Sequence, residues 1–430
     1  MSPFKQDLRE CTQHIKKIRA LRISFYVNII YIILTILSFL LVPIIIPLEN
    51  TIIANDFRIF YQSAQTVLEN PELLYSLPDY NMPFRYLPLF SFLFIPYTFI
   101  PFELGFIFHT ISLAIFQTLS FYLIYIISVR FYNIEYNSKI KTDFLYIALM
   151  APIQVPMIFM GQISHIFIFL LLIVILLLEN FRKRRYRIKY ESFIIGLLLG
   201  LSISLKPYAI LLIPLLSKLI FSNEERKFKI NFRILIRILL GLIVSQLVNI
   251  TYFLLFPETV QQFLDINSTA QILTYPSSSI TRIISVLFNS FSFEPILMLI
   301  LTIIMYGLLY LIFLAVPYQK VNYPCFISMV ILIIMINFTD SWFLNFLIFF
   351  ILIFPGIFQL EDDLDKITSV RILKKLKFSN FLINKIIIYG IVYFSVGVVI
   401  GWTILPTDPI LPFLLILLYF NLIWQLYRKK

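Results

Sequence analysis

The stretch ISFYVNIIYIILTILSFLLVPIIIP, residues 23–47, decides the class of fold. It carries no charged residue, and about 20 apolar residues are enough for a helix to cross the hydrocarbon core of a bilayer. The run is too long for the hydrophobic part of a signal peptide, and no small-residue cleavage site follows it, so we expect a retained first span. Because similar runs recur along the chain, the sequence predicts an all-α polytopic membrane protein.

The composition supports the same class. Of 430 residues, 60% are hydrophobic and only 13% are charged, whereas a soluble protein carries about 25% charged residues. With two cysteines and three histidines, neither a disulfide framework nor a structural zinc site is expected. No GxxxxGK[ST] or GxGxxG motif is present, and no loop could hold a soluble domain of about 50–200 residues. We therefore expect a single integral membrane domain over residues 1–430, with no cofactor and no metal.

The distribution of basic residues predicts the topology. Further apolar runs occupy 87–101, 104–128, 143–160, 163–178, 191–205, 208–221, 234–256, 293–316, 324–338, 343–358, 386–404 and 410–427. If 87–101 dips into the membrane without crossing it, about twelve spans remain and the basic clusters all face one side, as cytoplasmic loops do. The net charge of +12 then reports topology, and no nucleic-acid partner is expected. Both termini are predicted to be cytoplasmic, in the cell membrane, with the polar segments 48–86 and 257–292 outside.

The few basic residues left on the outer side are candidates for function: Arg58, Arg85, Lys206 and Arg282. Lys206 precedes Pro207, and the residue before a proline is driven out of helical geometry, so the chain should break there. Its ammonium either snorkels to the lipid headgroups or neutralises an anionic group at the outer boundary. Arg85 and Tyr86 are either interface anchors or a phosphate-binding pair, and Arg282 either binds substrate or begins a helix.

The first outer loop contains the candidate catalytic residue. Its apolar positions recur at helical spacing and predict an amphipathic helix over 56–69 lying at the membrane interface. Asp56 or Asn55 could simply be the N-cap of that helix; alternatively, the Asp56 carboxylate is a general base just outside the membrane. Arg58 stands where a DxD pair would have its second acid, so no metal is implied.

A polar joint, residues 161–165, separates two apolar runs that are too short to cross the bilayer comfortably. Unpaired backbone cannot face lipid, so the joint should lie in a cavity. His165 there is either a packing residue or a ligand of the substrate. Farther along, Ser278 lies in the second outer loop, and Asp340 and Trp342 lie at the outer end of a short span, where they could equally be ordinary interface residues. Such a cavity fits a substrate with an anionic head and an apolar tail.

The order of these motifs resembles the polyprenol-phosphate-dependent membrane mannosyltransferases of glycosyltransferase family 87, in the GT-C superfamily. The residues that carry the resemblance are Asp56, Tyr61, Asn70-Pro71, Tyr75, Phe84-Arg85-Tyr86-Leu87-Pro88, Gly161-Gln162, Gly196 to Gly200, Lys206-Pro207, Ser278 and Ser341-Trp342, within about 50–350. The resemblance implies an outer-leaflet polyprenyl-phosphate sugar donor, with mannose as the expected hexose, a lipid or glycan acceptor, and inversion at the anomeric carbon.

The resemblance also implies roles for individual residues. Asp56 would deprotonate the acceptor hydroxyl, and Lys206, Arg85 and Arg282 would stabilise the departing phosphate. The predicted substrate-binding residues are Arg58, Tyr61, Arg85, Tyr86, Gln162, His165, Lys206, Ser278, Arg282, Asp340 and Trp342. The alternative is a polytopic transporter or flippase of an anionic lipid-linked substrate. Transporters usually place their charged residues near the midplane of repeated halves, and no internal repeat is visible here.

Overall fold

A computed structural model of the protein describes residues 3–17, 19–48, 51–76, 83–133, 154–213, 216, 220–224, 227–268, 300, 303–304, 306–308, 311, 323–337 and 410–428. The chain forms two compact units. The first comprises Met1–Ile127 and Gln154–Thr269, and the second comprises Ser128–Ile153 and Ala270–Lys430.

The first unit is helical. Its described α-helices are α1 (Pro3–Lys17), α2 (Arg19–Leu41), α3 (Asn55–Glu69), α4 (Pro88–Thr98), α5 (Phe102–Ile126), α6 (Gln154–Met160), α7 (Ser164–Lys183), α8 (Glu191–Leu205), α9 (Phe232–Leu255) and α10 (Glu258–Ser268). Short 3-10 helices occupy Val42–Ile44, Pro71–Leu73 and Pro207–Leu212. A π-helical turn, Ile127–Phe131, follows α5, and its residues from Ser128 onward belong to the second unit. One antiparallel hairpin interrupts the helical pattern: β1 (Phe221–Glu224) pairs with β2 (Lys227–Ile230), Phe221 opposite Ile230.

The apolar helices confirm the predicted helical membrane protein. By length and composition, four described segments could cross a bilayer: Phe25–Ile44, Phe102–Phe131, Ser164–Lys183 and Phe232–Leu255. The count of about twelve spans, the GT-C-type topology and the single membrane domain stay predictions, because the runs at 293–316, 343–358 and 386–404 lie almost entirely outside the described residues.

Two helix lengths bear on the predicted spans. The run 163–178 was expected to be short, which was wrong: α7 has 20 residues, because it continues through Glu179 and Arg182 to Lys183. Within this charged end of the helix, the buried Glu179 carboxylate accepts from Arg182 at 2.7 Å. In contrast, α4 has only 11 residues and is about 16 Å long, too short to cross a hydrocarbon core of about 30 Å alone.

The helices α8 and α9 pack closely through small residues. A Cβ atom at Gly196 would overlap the Ile238 carbonyl oxygen, and one at Gly241 would overlap the Phe193 carbonyl oxygen. Small residues in membrane helices allow such backbone approach. The contact holds the first half of α8 against α9.

The N-terminal helix α1 is attached to the loop between α7 and α8. The Arg185 guanidinium donates two hydrogen bonds to Asp7, at 2.7 and 2.8 Å, and the Tyr186 hydroxyl donates a third to the same carboxylate at 2.7 Å. This fork geometry is the strong form of an ion pair. In the second unit, the described helices are α11 (Tyr323–Asn337) and α12 (Ile410–Arg428), which pack against each other.

Candidate active site

Asp56 lies in the first turn of α3. The residue before the helix, Ala54, has a left-handed backbone (φ 58°) and caps the helix without a side-chain hydrogen bond. Its N–H donates to the Phe159 carbonyl at 2.7 Å, which fixes the start of α3 against α6. The predicted helix is therefore confirmed, beginning at Asn55, whereas the expectation that Asn55 or Asp56 is its N-cap was wrong. Asp56 is 8% exposed, within the first helical turn.

Gln162 holds the Asp56 carboxylate. Its Nε2 donates to Asp56 Oδ2 at 2.8 Å, and its Oε1 accepts from the backbone N–H of Ile163 at 2.9 Å. Since a backbone N–H only donates, this second bond fixes which end of the carboxamide faces Asp56. The polar joint at 161–165 thus supplies a hydrogen-bond donor to the candidate base.

The joint has a backbone that only glycine adopts easily. Gly161 has φ +73°, and a Cβ atom there would lie 2.8 Å from Phe57 Cβ. The Gly161 carbonyl accepts from His109 Nε2 at 2.8 Å, so His109 carries its proton on that nitrogen. His109 also stacks on Phe57, with 5.1 Å between ring centroids. The buried imidazole and ring therefore hold the joint beside the first turn of α3.

A second pair of polar groups lies on the other side of Gln162. The Tyr86 hydroxyl lies 3.5 Å from Gln162 Oε1, and Lys206 Nζ lies 3.4 Å from the Tyr86 oxygen. Lys206 Nζ is also 5.4 Å from the centre of the Tyr86 ring, a cation–π distance. As predicted, α8 ends at Leu205 and Lys206 is extended (φ −144°) before Pro207. Asp56, Gln162, Tyr86 and Lys206 therefore form one polar chain from four separate segments.

The surroundings of Asp56 alter its ionisation. Burial raises the pKa of Asp56 to about 6, and the positive charge of Lys206 and the Gln162 hydrogen bond oppose part of that rise. A carboxylate with a pKa near 6 is largely ionised at neutral pH, yet it is a stronger base than an ordinary aspartate. This is the combination required of a general base.

Aromatic rings hold Tyr86 in place. Its ring stacks on Phe90 with 4.3 Å between centroids and meets Phe60 of α3 edge-on at 5.3 Å. The Tyr75 hydroxyl donates to the Tyr86 carbonyl at 2.9 Å. Tyr75 thereby holds the backbone of Tyr86 just before α4, with the Tyr86 hydroxyl directed toward Gln162 and Lys206.

The structure describes some of the other predicted site residues, and the rest lie outside the described residues. The Arg58 guanidinium lies 6.0 Å from the centre of the Phe102 ring, and the Tyr61 hydroxyl donates to the Ile100 carbonyl at 3.1 Å, so both contact the turn between α4 and α5. Arg85 is half-buried. Ser278, Arg282, Asp340 and Trp342 all lie outside the described residues.

His165 is buried in the first turn of α7. It is 3% exposed, and neither ring nitrogen has a hydrogen-bond partner among the described residues. Sequence reasoning missed His109, and its position within the apolar run 104–128 is the one feature that could have drawn attention to it. Among the described residues, no group of three or more His, Cys, Asp or Glu side chains could hold a metal ion.

A family model matches the part of the chain that contains Tyr86, Gln162 and Lys206. The model of glycosyltransferase family 87 matches residues 84–339, more than half of the chain. The chain belongs to glycosyltransferase family 87. No curated protein matches the chain. The match confirms the predicted family and indicates a glycosyltransferase, so the transporter or flippase alternative is not favoured.

The matched residues contain only part of the candidate site. Tyr86, Gln162 and Lys206 lie within the matched residues, whereas Asp56 precedes them and Trp342 follows them. The match is shorter than the segment of about 50–350 over which the resemblance was found. Asp56 is therefore a candidate because of its geometry: its burial, its hydrogen bond to Gln162 and the nearby Lys206 charge.

Proposed function

We propose that this family 87 protein transfers a hexose, with mannose as the expected sugar, from an outer-leaflet polyprenyl-phosphate donor to a hydroxyl of a lipid or glycan acceptor, with inversion. The observation that carries the proposal is the polar chain from Asp56 through Gln162 and Tyr86 to Lys206. It places one buried carboxylate and one buried cation at opposite ends of a short path. A glycosyl transfer from a phosphate needs a proton acceptor on one side and a positive charge on the other.

Asp56 is the proposed general base. As the acceptor hydroxyl attacks the anomeric carbon, its proton moves to Asp56 and a new carbon–oxygen bond forms. The bond from that carbon to the phosphate oxygen breaks, and its electron pair stays on the phosphate. A positioned general base contributes on the order of 10²–10⁴-fold to the rate. The pKa of about 6 keeps Asp56 ionised at neutral pH.

Lys206 is the proposed partner of the leaving phosphate. Its side chain is only 7% exposed, so its charge acts where water is scarce, and fixed charges there stabilise developing negative charge most effectively. The Tyr86 hydroxyl, 3.4 Å from Lys206 Nζ, is a further group able to donate to a phosphate oxygen. Arg85, adjacent in sequence, and Arg282 complete the proposed cationic set, with Arg58, Tyr61, His165, Ser278, Asp340 and Trp342 as further proposed substrate contacts.

A lipid-linked donor agrees with the architecture of the chain. The apolar runs leave no loop long enough for a soluble nucleotide-binding domain, and an apolar polyprenyl tail can remain in the bilayer while its phosphate reaches the boundary. We place the site on the outer face of the cell membrane, with cytoplasmic termini, from the bias of basic residues.

The test is sugar transfer by purified protein reconstituted in liposomes. Radiolabelled polyprenyl-phosphate mannose and polyprenyl-phosphate glucose are supplied with an acceptor lipid extract, with and without EDTA. Wild-type protein should move label to a new product, and Asp56→Asn should lower the rate by about 10²–10⁴-fold. Asp265→Asn is the matched control, because Asp265 is exposed on α10, and it should retain wild-type activity.

The outcomes separate the candidate functions. Label that stays on the donor while the donor itself crosses the bilayer would support a flippase and refute transfer. Transfer at the wild-type rate by Asp56→Asn would remove Asp56 from the reaction while leaving the transferase intact.

A further inference from the structure

One face of α9 carries polar side chains that contact the two segments holding Tyr86 and Lys206. The buried positions of this helix include Ser245, Asn249 and Tyr252, which recur at helical spacing. The flanking residues Leu247, Val248 and Ile250 are exposed and apolar, as expected of a helix that faces lipid. Polar side chains in such a helix bind neighbouring helices.

Asn249 uses its whole carboxamide in hydrogen bonds. Its Oδ1 accepts from the backbone N–H of Leu89 at 2.7 Å. Its Nδ2 donates to Ser204 Oγ at 2.9 Å and to Gln246 Oε1 at 2.7 Å. The residue is 3% exposed. Because a backbone N–H only donates, the bond from Leu89 fixes the orientation of the carboxamide.

The bond to Leu89 takes the place of a missing helix cap. The N-cap of α4, Leu87, makes no side-chain cap hydrogen bond, and Pro88 has no N–H. The N–H groups of a first helical turn have no partner within the helix. Asn249, 160 residues away, satisfies one of them. It therefore anchors the start of α4, three residues after Tyr86.

The bond to Ser204 anchors the segment that carries Lys206. Ser204 lies two residues before Lys206, in the last turn of α8. Gln246 strengthens this contact by donating to Ser204 Oγ at 3.1 Å and to the Gly200 carbonyl at 2.6 Å. One side chain of α9 thus ties together the two backbone segments that carry Tyr86 and Lys206.

We infer that Asn249 is a positioning residue, which holds the Tyr86 and Lys206 segments together so that the cationic side of the site stays within reach of Asp56. It acts through these residues and is not itself catalytic. The inference rests on the proposed transferase function for its kinetic consequence, and on the hydrogen bonds of Asn249 alone for its structural consequence.

The test compares Asn249→Leu, Ser204→Ala and Thr251→Val in lipid nanodiscs. Asn249→Leu keeps a similar volume and removes all three hydrogen bonds, whereas Ser204→Ala weakens only the attachment of the segment that carries Lys206. Thr251 is exposed on the same helix and serves as the matched control. Three quantities are measured: amide hydrogen exchange at Leu89, kcat and KM for the donor, and the pH at which kcat/KM falls in acid.

For Asn249→Leu we expect exchange at Leu89 to be at least about tenfold faster. We also expect kcat/KM to fall by about 10–100-fold and its acid limb to move to higher pH as Lys206 moves away from Asp56. Ser204→Ala should move the acid limb without changing exchange at Leu89, and Thr251→Val should match the wild type. A role in stability alone would reduce the yield of folded protein and leave the pH profile unmoved.

Unchanged exchange at Leu89 in folded Asn249→Leu would overturn the inference whatever the activity. An unmoved acid limb in both variants of an active enzyme would also overturn it. If Asn249→Leu does not fold, the pH profile of Ser204→Ala decides. A wild-type protein that transfers no sugar would refute the proposed function instead, and amide exchange would still decide whether Asn249 anchors α4.

Discussion

Replacing Lys206 by methionine should move the pH dependence of transfer in a predictable direction. The proposed reaction needs Asp56 ionised, and the pKa of Asp56 is about 6. In the wild type, kcat/KM should therefore fall about tenfold per pH unit below pH 6. About 90% of the carboxylate is ionised at pH 7 and about 10% at pH 5. Since the positive charge of Lys206 lowers the pKa of Asp56, removing that charge should raise it and move the acid limb to higher pH.

The size of this movement follows from the geometry. The three hydrogen bonds and the width of one carboxamide place Lys206 Nζ no more than about 12 Å from Asp56 Oδ2. At that distance, and with an effective dielectric constant of about 20, two unit charges interact by about 1.4 kcal/mol. This energy corresponds to about one pH unit, so the acid limb of Lys206→Met should lie near pH 7 or above.

A second effect of the same substitution is independent of pH. If Lys206 stabilises the departing phosphate, the plateau of kcat/KM at high pH should also fall, by about 10²–10³-fold. The assay is the initial rate of sugar transfer from pH 5 to pH 9 in nanodiscs, where both faces of the membrane meet the same buffer. Lys189→Met is the matched control, because Lys189 is exposed in the loop before α8.

The two effects are separable. A lowered plateau with an unmoved acid limb would mean that Lys206 contacts substrate but does not affect Asp56. An acid limb that stays near pH 6 with a wild-type plateau would refute the assignment of Lys206 altogether.

Three further predictions concern stability and reactivity. Gly161→Ala should lower the free energy of unfolding by about 1–2 kcal/mol from its left-handed backbone alone, with more from contact with Phe57; an unchanged melting temperature in detergent would contradict this. Gly196→Ala should destabilise by about 1–3 kcal/mol or more, because its methyl group would overlap the Ile238 carbonyl, and a wild-type melting curve would show that α8 and α9 are not so close. Burial, and to a lesser extent the charge of Asp7, raises the pKa of the Cys11 thiol to about 12. In a variant that retains only this cysteine, the folded protein should therefore react with maleimide at pH 7.4 at least about 100-fold more slowly than the protein unfolded in SDS. Equal rates would show that Cys11 is accessible.

Local sequence patterns predicted several elements because their causes are local. The apolar run at 23–47 predicted a candidate span, and the helical spacing of apolar residues predicted α3. The steric conflict before Pro207 gave the break at Lys206. The apolar pattern was less informative about where α7 ends. The apolar run at 163–178 ends before Glu179, but α7 continues to Lys183 with an ion pair between Glu179 and Arg182 near its end.

By itself, the sequence determined that this is a helical membrane protein of family 87, and it selected Asp56, Gln162 and Lys206 as candidates. Only the tertiary structure decided that these residues lie together in one polar chain. Asp56 and Gln162 are 106 positions apart and Asn249 and Leu89 are 160 apart, so no local spacing relates them. It also decided that Asp56 is not a helix cap, because Ala54 takes that position. Hydrophobic periodicity fixes which face of a helix is apolar, but the partner of a buried polar group is set by which helices pack together.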